Sequence, residues 1–92
     1  MIAPRVHMNG TSRASLLEAI AEASQAVSLA IDAMRNTAPH RRDYYVIGPE
    51  AYPQARDEYA TRVIRLHETN DELVALYRAI EENQIEFSTE VK

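Results

Sequence analysis

The chain has no cysteine, which removes disulfides, thiolate metal sites and cysteine nucleophiles together and suits a reducing compartment. It has no tryptophan, one phenylalanine and only two glycines. So few flexible turn residues leave little room for an all-β fold, and helix is the default. No uninterrupted apolar run approaches the roughly 20 residues of a membrane span, and "MIAPRVHMNGT" lacks the basic start and apolar centre of a signal peptide. The expected location is therefore the cytoplasm, with no glycan on the Asn9-Gly10-Thr11 sequon. A strong positive charge is missing too. The net charge is −4, and acids outnumber bases in the second half, where the arginines are interleaved with them. Duplex nucleic acid needs several cations on one face, so it is not an expected partner.

What is present is helical periodicity. Leu16, Ile20, Ala23, Val27, Ala30 and Met34 recur at alternating spacings of 4 and 3, with Leu17 and Ile31 beside them. Thr11 or Ser12 is the candidate N-cap, Ser15 with Glu18 an alternative capping box, and Pro39 the stop. The first helix is placed at about residues 12–37. A second stripe of the same period runs through Tyr59, Val63, Leu66, Asn70, Leu73, Tyr77 and Ile80, flanked by Ile64 and Val74. Pro53 fits only a first turn, which places this helix at about residues 52–83. Asn70 interrupts the stripe, either as a buried amide that fixes register or as a partly exposed residue at a bundle edge.

Together these readings predict one all-α domain over residues 1–92: an antiparallel helical hairpin with a long loop at about 38–51. Ile2, Pro4, Val6 and Met8, and then Ile85, Phe87 and Val91, follow a two-residue period. The termini are thus expected either to pair as a short β ribbon or to fray. A chain this short hides only about 60 to 65% of its unfolded surface, so an oligomeric bundle is expected.

Chemistry finds little support. Only His67 and Asp71 among the histidine neighbourhoods share a helical face, no serine sits in a triad-like arrangement, and the glutamates read as a solvated face. Neither an enzyme nor a metal or other cofactor is expected. Two stretches stand apart. In "PHRRDYY", Arg41 and Arg42 can grip a phosphate or carboxylate while Tyr44 and Tyr45 can stack on a base or fill an apolar socket. Alternatively the tyrosines cap the hairpin and the arginines neutralise a helix end. In "NGTS", Asn9, Thr11 and Ser12 can hold an anion at a helix start, or simply cap it. The first helix keeps the two stretches roughly 35 to 40 Å apart. In a head-to-tail antiparallel dimer they would meet as composite pockets.

The pairing of "NGTS" before one amphipathic helix with "PHRRDYY" before the next resembles a family of short tailed-bacteriophage and prophage proteins over residues 6–82. His40 stands where that pattern has Asn. Small phage proteins of this kind work by binding, so the resemblance implies one of three roles. The first is sequestering a small phosphorylated ligand such as a nucleotide immune signal, an anti-defence role in the host cytoplasm. The second is inhibiting or adapting a host protein, and the third is a structural accessory role.

Overall fold

The computed structural model describes the backbone of residues 1–91 and the side chains of residues 1–82. Two helices dominate: α1 over Arg13–Met34 and α2 over Ala51–Val91. The chain is an antiparallel helical hairpin, drawn out into a rod of 69 × 18 × 17 Å.

Local chemistry sets each boundary. Ser12 is the cap of α1; its extended backbone (φ −64°, ψ 152°) lets its hydroxyl accept from the Ser15 amide at 3.1 Å. At the far end no glycine is available to terminate the helix. The last turn instead tightens into a 3-10 turn over Arg35–Thr37, where the Thr37 hydroxyl donates to the Met34 carbonyl at 2.7 Å. Ala38 then leaves the helix at ψ 132°, as a residue before proline must. The loop contains a second 3-10 turn, Arg41–Asp43, with the amides of Tyr44 and Tyr45 both donating to the Arg41 carbonyl. Gly48 follows at φ +152°, a conformation that a side chain would strain. Its carbonyl accepts from Ala51, the first residue of α2, and Pro53 sits in the first turn, where its missing N–H is harmless.

The α2 stripe faces inward as its spacing predicts: Tyr59, Val63, Leu66, Asn70, Leu73 and Tyr77 are half-buried and Ile80 is fully buried. On α1 the contact stripe differs from the one expected. Leu17, Ile20, Ser24, Val27, Ile31 and Met34 face α2, whereas Ala23 and Ala30 are exposed. The apolar arc of α1 is wider than one partner can cover, so its centre does not point at α2. Ile64 is exposed as well, and only Val74 of the two α2 flanks packs. The polar residues at mid-seam find each other: the Ser24 hydroxyl donates to Asn70 Oδ1 at 2.5 Å, so the half-buried amide is paired and the two residues lie level.

The β ribbon is not formed. Residues 1–8 have no strand pairing, with Ile2 and Met8 exposed, and α2 runs through 85–91 instead of ending near Asn83. The side chains of Ile85, Phe87 and Val91 lie outside the described residues. Adding residues to an existing helix needs no new nucleus, and after Pro53 no proline or glycine interrupts α2. A lone two-stranded ribbon has no comparable support.

Candidate functional site

The loop and the first turns of α2 build one cationic, aromatic cleft. The guanidinium of Arg41 lies 5.0 Å from the centre of the Tyr52 ring, and that of Arg56 lies 6.0 Å from it. Tyr52 and Arg56 are one helical turn apart, so α2 presents both on the same side. Tyr45, Gly48 and Pro49 complete a cleft of about 420 Å³. Two cations flank an aromatic face there. Such a site can hold a planar anionic group by stacking on the tyrosine and pairing with the guanidinium donors.

The expected residues divide. Arg41 and Tyr45 line the cleft; Arg42 and Tyr44 do not. Tyr44 is half-buried, with its backbone carbonyl accepting from the Ile47 amide, while Arg42 is exposed. Asn9, Thr11 and Ser12 are all exposed at the opposite end of α1, and within one chain they do not join the loop residues. Ser12 donates its hydroxyl proton to Ser15 Oγ at 2.9 Å, so its side chain is engaged as a cap.

Sequence reasoning gave Tyr52 a place only as the helix start and gave Arg56 no role. The signal was present: Pro49 and Pro53 bracket the helix start, and an aromatic with a cation four residues on shares a face. It also passed over Arg13 at the other end, whose half-buried side chain has a buried Nε without a hydrogen-bond partner among the described residues. Gly10 has its own reason. A β-carbon there would stand 2.6 Å from His7 Nε2, so the "NG" turn is closed over the His7 ring.

Two further grooves exist. One, of about 450 Å³, lies between the helices and is lined by apolar Ile20, Leu73, Val74 and Tyr77 with Arg78 and Glu81 at its rim. The other, of about 520 Å³, follows the polar flank of α2, where Glu58 pairs with Arg62 at 3.9 Å. Among the described residues no cluster of His, Asp or Glu has the arrangement of a metal site.

No family model matches the chain, and no curated protein or solved structure shows significant similarity to it.

Proposed function

We propose that this is a small phage-type binding protein that self-associates and sequesters a small phosphorylated ligand, a nucleotide immune signal of the host cell being the best fit. The cleft around Tyr52 carries this reading. It offers the Arg41 guanidinium, held over the Tyr52 ring, for phosphate, with the exposed Tyr45 ring for a base and Arg56, paired with Asp57 at 3.6 Å, alongside. In the assembled form the pocket is composite: Arg41 and Tyr45 of the cleft, with exposed Arg42 near them in the loop, approach Asn9 and Thr11 of a neighbour.

The test is titration calorimetry against cyclic and linear nucleotides. Arg41→Ala and Thr11→Ala each weaken binding by about 1 to 3 kcal/mol. Co-refolding the two variants restores part of the capacity at full affinity, because some pockets in mixed oligomers are wholly wild type. Absence of recovery in proven mixed oligomers would exclude a site shared between chains.

A second reading has its own observation. Tyr45, Val46 and Ile47 form a consecutive apolar run, 70%, 75% and 70% exposed, at the loop end of the rod. A tip of this kind fits an inhibitor or adaptor of a host protein. Loss of host-protein capture on Val46→Asp, with nucleotide binding absent in the wild type, would favour it.

A further inference from the structure

The hairpin hides too little of itself. Among the described residues only Leu17 and Ile80 of the apolar ones are buried, and the accessible surface is 7154 Å² for a 10.4 kDa chain. A compact monomer of that mass exposes about 5,400 Å². The excess, roughly 1,700 Å², includes the part of α2 that runs past the start of α1, and it is of the order that one subunit of an obligate dimer covers.

The uncharged surface of α1 is concentrated on one side. One residue before each inward position of α1 come Leu16, Ala19, Ala23, Ala26, Ala30 and Ala33, and one residue after come Glu18, Ala21, Gln25, Ser28, Asp32 and Arg35. The first set is uncharged and the second, Ala21 apart, is polar, so the apolar arc of α1 turns from α2 mainly toward one side. Leu29, 63% exposed, extends it. In a four-helix bundle each helix has two neighbours, and its apolar arc points between them. The hairpin supplies α1 with one neighbour.

We infer that the second neighbour is α1 of another copy, packed antiparallel about a two-fold axis near Ala26. This rests on the self-association proposed above and specifies its surface. The residues one position before the α2 seam lie on the same side of the hairpin, and they include Arg65, Glu72 and the half-buried Leu76. The Ser24–Asn70 bond makes those residues level, so Ala26 is level with Glu68. A two-fold axis at that height sets α2 beside its symmetry mate and brings Arg65 against the partner's Glu72, and the reverse. Neither residue forms an ion pair among the described residues of the single chain. All adjacent helices are then antiparallel, and Leu76 lies in the same interface. The arrangement also places Ser12 at the level of His40 and Arg41 in the other copy. A pocket shared between the two ends of the molecule requires that placement.

The absence of cysteine makes the test direct. Ala26→Cys lies on the axis and should oxidise to a covalent dimer, since close helix contact brings the two Cα atoms within disulfide reach. Gln25→Cys, on the groove side, should remain uncrosslinked. Arg65→Glu and Glu72→Arg should each raise the dimer dissociation constant about tenfold, and the double swap should restore it, with helicity by circular dichroism unchanged throughout. An oligomer that crosslinks through Gln25 and not Ala26, or a charge swap without rescue, overturns this interface and leaves self-association standing. A monomer by light scattering overturns both. Arg13–Thr37 is also long and apolar enough to cross a membrane; a monomeric chain that floats with lipid vesicles would assign the same face to lipid and overturn the dimer.

Discussion

The hydrogen bond between Ser24 and Asn70 can be weighed by a double-mutant cycle. A protein hydrogen bond contributes about 1 kcal/mol net, within a range of about 0.5 to 1.5. Each single alanine substitution loses it, but alanine is also the better helix former, by about 0.5 kcal/mol over serine and slightly more over asparagine. The single variants therefore fall only slightly below wild type and say little. The cycle cancels the propensity gains and leaves the coupling, about 1 kcal/mol, equivalent to a shift of about 4 to 8 °C for a domain of this size. Urea unfolding of the wild type, Ser24→Ala, Asn70→Ala and the double variant is the assay, at one protein concentration, because self-association makes the midpoint concentration-dependent. A coupling within about 0.3 kcal/mol of zero would refute a register-setting role for this pair. Ser24→Ala with Asn70→Leu should then be more stable than wild type by about 1 kcal/mol, since an apolar layer replaces a polar one. The same variant should show more than one oligomer size by native mass spectrometry, because the polar pair no longer penalises other registers.

Gly48→Ala should lower stability by about 1 to 3 kcal/mol from backbone strain alone, because a β-carbon there meets nothing within 4 Å; a thermal melt unchanged from wild type would contradict the positive φ. Leu17→Asp should abolish cooperative unfolding, since an unpaired charge would enter a buried apolar position. Ala30→Asp should keep the helicity and lose the dimer, which sedimentation separates from the first effect. Arg56→Ala should weaken nucleotide binding by about 1 kcal/mol or less, and less than Arg41→Ala does, because Arg56 lies farther from the Tyr52 ring.

Most of the fold could be read in the sequence. The α2 stripe from Tyr59 to Ile80 was legible because one face is apolar and both its flanks are largely polar, so only one phase fits. In α1 the alanines blurred the phase. Leu16, Ala23 and Ala30 compete with Leu17, Ser24 and Ile31, and a serine in the seam is visible only once its partner Asn70 is placed opposite. The two-residue alternation near the ends was too short to outweigh the continuation of an established helix. Of the cleft lining, Arg41 and Tyr45 were legible because two arginines beside two tyrosines stand out in a loop longer than a helix connection needs. Tyr52 and Arg56 were missed because their role depends on the loop folding back over the first turns of α2, a contact that local pattern does not encode.

The position of Leu17 and Ile80, at the open end of the hairpin and 63 residues apart in the chain, has a kinetic meaning. Contacts near the loop close short stretches of chain and are expected to form early, whereas this end of the hairpin closes long ones and is expected to form late. Its stabilisation then enters after the folding barrier, so it slows unfolding without speeding folding. Ile80→Val should accordingly raise the unfolding rate and leave the refolding rate almost unchanged. A rod fastened at its far end resists fraying from the termini, where proteases would otherwise begin.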